Sequence, residues 1–161
     1  MDPITLTIFS SVLGFLAIVF LTFWIRKLEK GPEEMQKIAS YISEGANEFL
    51  RLEFRTIFLF AILIAVALYL SIGWETAISF VIGALSSFFA AYIGMKVSTT
   101  ANLKVAAAAM KSEDEPVLIA LRGGSVTGLA IVSMSLFGIV MLYLIFKSPI
   151  PLAGFGFGAS L

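Results

Sequence analysis

Residues 56–95 read TIFLFAILIAVALYLSIGWETAISFVIGALSSFFAAYIGM, forty positions in which Glu75 is the one charged side chain. Two stretches free of Asp, Glu, Lys and Arg, Thr56 to Ile72 and Thr76 to Met95, flank this residue. A helix rises about 1.5 Å per residue and a bilayer's hydrocarbon core is about 30 Å thick, so each stretch can cross one, the shorter with help from its flanks. Lipid leaves backbone N–H and C=O groups without partners, which makes helix the form of a continuous apolar run. Strands of a membrane barrel would alternate in polarity, and these runs do not. Ser71-Ile72-Gly73-Trp74 is too short for anything but a tight turn, with Trp74 at the interface that its amphipathic ring favours. The stretch therefore predicts two antiparallel transmembrane helices.

Working outward, two further charge-free runs appear, Ile4 to Ile25 and Ser125 to Phe146. The predicted spans are about 4–25, 54–73, 75–96 and 124–146, with the start of a fifth from about 152. Composition agrees: 59% of residues are apolar, 14% are charged, and the mean hydropathy is +0.98, outside the range of soluble domains. The first run is too long for a signal peptide and has Asp2 where a basic region would stand, so it is a retained span. The expected fold class is an all-α integral membrane helical bundle, a single transmembrane region over 1–161. Cysteine and histidine are both absent, which excludes disulfides, thiol chemistry and the commonest zinc and haem ligands.

The formal net charge of zero gives no basic surplus for nucleic acid. It conceals an asymmetry. Arg26, Lys27, Lys30, Lys37, Arg51, Arg55, Lys96, Lys104, Lys111 and Arg122 lie between spans one and two or three and four, and Lys147 alone lies on the other side. By the positive-inside rule this puts both termini outside the cell.

The cytoplasmic segments have helical character. Gly31-Pro32-Glu33-Glu34 is a helix start, with acids near the positive dipole end. Met35, Ile38, Ala39, Ile42, Ala46, Phe49 and Leu50 then form one apolar stripe. One helix of about 60 Å is expected from Pro32 to Ile72, roughly twice the membrane thickness. Lys96 to Lys111, rich in alanine, extends the third span in the same way. Ser112-Glu113-Asp114-Glu115-Pro116 closes that end with a cap-like Ser, acids and Pro.

Small residues recur every four positions at Ser86, Ala90, Gly94 and Ser98, and at Gly83, Ser87 and Ala91. Such spacing lets helix backbones approach closely in lipid, and packing rather than transport is the expected role. Gly124 and Gly128 are read in the same way. Gly154-Phe155-Gly156-Phe157-Gly158 lacks the strand and Lys-Ser/Thr of a phosphate loop and reads as a Gly-rich opening to a fifth helix. Arg122 at the mouth of span four is expected to be an interfacial anchor. Glu44, Glu48 and Glu53 with Arg51 and Arg55 form a solvated helix face in which Glu48 with Arg51, or Lys37 with Glu44, offset one another. No span carries an ionisable acid or base of the kind a pump needs, and no paired carboxylates stand ready for magnesium phosphate.

Four strings carry a resemblance. Glu44-Gly45-Ala46-Asn47-Glu48-Phe49-Leu50-Arg51-Leu52-Glu53-Phe54, Tyr92-Ile93-Gly94-Met95-Lys96-Val97-Ser98-Thr99-Thr100-Ala101-Asn102, Leu121-Arg122-Gly123-Gly124-Ser125-Val126 and Gly154-Phe155-Gly156-Phe157-Gly158-Ala159-Ser160 resemble, in order and spacing, the N-terminal region of membrane-bound, ion-translocating inorganic pyrophosphatases. The resemblance runs from about Ile38 to the end. It implies a homodimer of chains with sixteen spans and an external N-terminus in a prokaryotic cell membrane, hydrolysing pyrophosphate with Mg²⁺ and pumping H⁺ or Na⁺. It leaves K⁺ dependence open. The motifs that bind magnesium pyrophosphate and the gate carboxylate of that family have no counterpart here. No catalytic, cofactor or metal residue is assigned, and the chain is expected to be an N-terminal fragment, inactive alone, whose partners are the bilayer and the remaining helices. The alternative is a non-enzymatic four-helix scaffold or small transporter subunit.

Overall fold

The computed structural model describes residues 2–161 as five helices: α1 (Pro3–Lys27), α2 (Glu33–Ser71), α3 (Trp74–Ala109), α4 (Glu115–Phe146) and α5 (Ile150–Ala159). The first four are long and apolar enough to cross a membrane. α2 is one unbroken helix of 39 residues, about 58 Å long, as its uninterrupted pattern requires. α3 likewise continues without a break through its alanine-rich half.

The connections follow local chemistry. Gly73 turns α2 into α3 with φ 135° and ψ 170°, a region closed to residues with a Cβ. The Ile72 and Gly73 amides both donate to the Leu68 carbonyl, at 2.9 and 3.1 Å, and close the last turn of α2. Between α3 and α4 the Ser112 hydroxyl accepts from the Glu115 amide, the first of α4, at 3.3 Å, while the cap position itself is held by Asp114 and not by the Ser expected there.

α3 is the hub, and each of the other four helices packs against it. Its buried residues include Thr76, Phe80, Gly83, Ala90, Gly94, Val97, Ala101, Lys104 and Ala108. The steps are three and four, which keep one face in register with a partner. α1 buries Ser11, Gly14, Ile18 and Ile25, and α4 buries Ile119, Gly123, Val126, Ala130 and Ser133, at the same spacing. Ile18, Ile25, Ala90, Val97, Ala101, Val126 and Ala130 meet as the core of the α1, α3 and α4 layer. α2 stands at the edge of this layer with Leu50 as its one buried residue. Of its expected apolar stripe, Met35, Ala39 and Ala46 are half-buried, whereas Ile38, Ile42 and Phe49 are exposed. The stripe is wider than the single contact α2 makes with α3.

Candidate functional site

The charged end of the bundle is knitted together by the short linker from α1 to α2. Lys104 sits in the buried row of α3 at 2% exposure. Its Nζ donates to the carbonyl oxygen of Leu28, the residue that ends α1. A cation there answers the negative end of the α1 dipole and satisfies an orphan carbonyl. Burial, with Lys30 nearby as a second cause, pushes the Lys104 ammonium below its ordinary pKa. One turn further on, a Cβ built on Gly31 would lie 3.0 Å from the Ala107 Cβ, and Gly31 has φ 75°. A second turn on, Lys111 forms an ion pair with Glu29 that lowers the Glu29 pKa and raises that of Lys111. Gln36 Nε2 ties α2 to the same linker by donating to the Gly31 carbonyl at 2.9 Å. Positions 104, 107 and 111 of α3 thus dock residues 28–31. Sequence reasoning treats Lys104 only as one cation among ten. Its place in the three-four row with Val97, Ala101 and Ala108 is the signal that marks it as inward-facing.

Arg122 stacks on Trp24 of α1, with the guanidinium carbon 4.1 Å from the ring centroid. This joins α4 to α1 by a cation–π contact and holds the anchor close to the ring. Of the two ion pairs expected on α2, Glu48 with Arg51 is present at 3.8 Å between largely exposed side chains. Lys37 and Glu44 do not pair; two helical turns separate them. Among the described residues no group of three His, Cys, Asp or Glu side chains comes together that could hold a metal ion. Glu75 is half-buried at the start of α3 and the other described acids are exposed, with Glu29 engaged by Lys111, so this donor set does not fit magnesium pyrophosphate, and no step of hydrolysis follows from these residues.

The glycines sort differently from the sequence expectation. Gly154, Gly156 and Gly158 lie inside α5 instead of opening it, because the helix starts at Ile150 behind Pro149. A Cβ on Gly154 would meet the Thr76 carbonyl oxygen at 2.4 Å, and one on Gly158 would meet the Phe80 carbonyl oxygen at 1.9 Å. On the α3 side, a Cβ on Gly83 would meet the Phe155 carbonyl oxygen at 2.1 Å. The two helices touch backbone to backbone, with Phe155 buried beside them at 1% exposure. Within α4 the packing glycines are Gly123, against Ala101, and Gly138, against the Phe155 ring. Gly124 and Gly128 have nothing within 4 Å and are corrected to open positions, one residue off the buried row or on its far side. Ala90 and Gly94 pack as expected, Ser98 is half-buried and Ala91 is exposed. A step of four drifts around the helix, while the observed contact follows alternating threes and fours.

Beside this packed layer an apolar groove of about 500 Å³ runs between α2 and α3. Phe54, Phe58 and Val66 of α2 face Val81, Ser87 and Phe88 of α3 across it, and Leu161 reaches its edge. The Phe54 and Phe88 rings, 4.0 Å apart between centroids, close one part of it.

Glycine-mediated helix contacts and four helices able to cross a membrane define a polytopic helical bundle. The family model described as inorganic H+ pyrophosphatase matches residues 12–161, and the chain belongs to that family. The match reaches well before Ile38, from which the resemblance is read. The K(+)-insensitive pyrophosphate-energized proton pump 2 of Moorella thermoacetica is 42% identical over 94% of this chain and 23% of its own length. The K(+)-stimulated pyrophosphate-energized sodium pump of Thermotoga maritima is 44% identical over 83% of this chain and 18% of its own. The pyrophosphate-energized membrane proton pump 3 of Arabidopsis thaliana is 34% identical over 99% and 24%. The chain spans about a quarter of the length of these curated relatives.

Proposed function

We propose that this chain supplies the N-terminal scaffold helices of a pyrophosphate-driven H⁺ or Na⁺ pump. The observation that carries this reading is the family match over all but the first eleven residues, together with relatives named as pumps of either ion. The spans are placed at about 4–25, 54–73, 75–96 and 124–146, with a fifth opening near 152, in a single transmembrane region of a larger protein. Ten of the eleven Lys and Arg residues lie at one end, which sets that end in the cytosol and the N-terminus outside a prokaryotic cell membrane. The ionisable side chains that choose and move the ion belong to other helices, since the runs Ile4 to Ile25, Thr56 to Ile72, Thr76 to Met95 and Ser125 to Phe146 hold no Asp, Glu, Lys or Arg. Mg²⁺ is the cofactor of the whole pump and is held by residues outside this chain. The working assembly is a homodimer.

The test is a chimera in which this chain replaces the aligned segment of the Moorella thermoacetica pump. The chimera is expected to insert, to hydrolyse magnesium pyrophosphate and to acidify inverted vesicles, while the 161-residue chain alone hydrolyses none. A chimera that inserts and assembles as the parent does, yet hydrolyses no pyrophosphate, overturns the proposal.

A further inference from the structure

The groove between α2 and α3 runs alongside the contact of α5 with α3. α5 and α3 run in the same direction: Gly154 lies on Thr76, and one turn later Gly158 lies on Phe80 and Ala84. Continued at this register, one further turn of a helix arrives at about Ser87 and the next at about Ala91. Both residues line the groove and both are small, so the backbone-to-backbone approach begun at Gly83 has room to continue. Ser87 is half-buried and Ala91 exposed, whereas Gly83, one turn before Ser87, is buried under α5; the line from Gly83 through Ser87 to Ala91 drifts about forty degrees per step, toward the groove that the last two line. Leu161, just past the end of α5, already lines the same groove. The relatives extend far beyond the aligned quarter of their length, and the resemblance puts that remainder after it.

We infer that the α2–α3 groove is the seat of the helix that continues α5 in the longer pumps, with Ser87 and Ala91 as its contact line. The inference rests on the pump reading, and it names the surface through which this scaffold receives the rest of the protein. The occupant is an apolar helix in register with α5. Ser86, although small, stands a hundred degrees around the helix from Ser87, does not line the groove and has no part in the contact.

The test uses the full-length chimera with its native cysteines removed. Ser87→Cys, and separately Ala91→Cys, is paired with a single cysteine moved through the first eight positions after the junction, and each pair is oxidised in membranes. Disulfides are expected within one chain at about one position per helical turn, nearer the junction for Ser87→Cys than for Ala91→Cys by about one turn. Two results overturn the inference. One is the absence of intramolecular disulfides from both series, with the cysteines reacting with a lipid-phase maleimide as fast as in the 161-residue chain; acyl chains then fill the groove. The other is covalent dimers in place of intramolecular bonds, which gives the groove to a second copy. Pyrophosphate hydrolysis is measured before oxidation. Its loss with disulfides intact counts against the pump reading alone, and its persistence without disulfides counts against the docking alone.

Discussion

At the scale of single residues, the glycines divide into those that set a helix distance and those that do not. Gly158→Ala would place a methyl 1.9 Å from the Phe80 carbonyl oxygen. Backbone cannot yield as a flexible side chain can, so α5 must move off α3 at a cost of about 1–3 kcal/mol. Gly128→Ala meets nothing within 4 Å and gains up to about 1 kcal/mol of helix propensity. Unfolding of the purified chain in mixed detergent is expected to show opposite shifts for the two. Equal shifts would remove the distinction. Lys104→Met leaves the Leu28 carbonyl without its donor, a loss of about 1–3 kcal/mol. Hydrogen exchange at residues 28–31 is expected to quicken, and exchange unchanged from the parent would show that the lysine does not hold the linker. The Glu29–Lys111 pair carries a pH signature. Because Lys111 lowers the Glu29 pKa, the pair stabilises the fold at neutral pH, and that contribution is lost as the pH falls from the ordinary carboxylate value through the lowered one. The stability difference between the parent and Glu29→Gln should therefore shrink below about pH 4, and a difference constant down to pH 3 would contradict it. The pairing of Lys104 with Leu28 was beyond sequence reasoning because nothing local joins positions 76 residues apart. The contact of Arg122 with Trp24, which joins helices far apart in sequence, was out of reach for the same reason.

At the scale of elements, the helices were legible because their signals are local. The charge-free runs, Gly73, Pro32 and Ser112 mark where α2, α3 and α4 begin or end, and the structure follows them to within a few residues. α2 was legible as one long helix, since nothing between Glu33 and Ser71 breaks it. Which of its side chains are covered was not legible, because that depends on how many neighbours a helix has. With Leu50 as its one buried residue, α2 is held to the bundle far less than α3. Its half between residues 33 and 49, outside the apolar span, is expected to exchange its amides faster than residues 96–109 of α3. Equal protection in detergent-solubilised chain would mean that α2 is held by contacts other than those seen. The small-residue stripes of α3 were legible as packing surfaces, but their phase was not. Repeats of four pointed at Ser98 and Ala91, whereas the contact row passes through Gly83, Ala90, Gly94, Val97 and Ala101. A stretch of two or three turns cannot separate a period of four from one of three and a half; a row of nine buried positions from Thr76 to Ala108 can.

At the scale of the whole molecule, the bundle is a scaffold in which one helix, α3, receives all the others. Its apolar middle is packed by glycine, alanine and serine, and its charged end is fixed by side chains from α3 to the α1–α2 linker. Among the described residues no group of three His, Cys, Asp or Glu comes together that could hold a metal ion, and the chain matches about a fifth to a quarter of the relatives' length. The place proposed for the molecule in a pump depends on which end faces the cytosol. The chain has no cysteine, so single cysteines placed at Ser112, between α3 and α4, and at Ser148, between α4 and α5, report the two ends without interference. In intact cells a membrane-impermeant maleimide is expected to label Ser148→Cys directly and Ser112→Cys only after the membrane is opened. Labelling of Ser112→Cys from outside, or of both positions from the same side, would contradict the account.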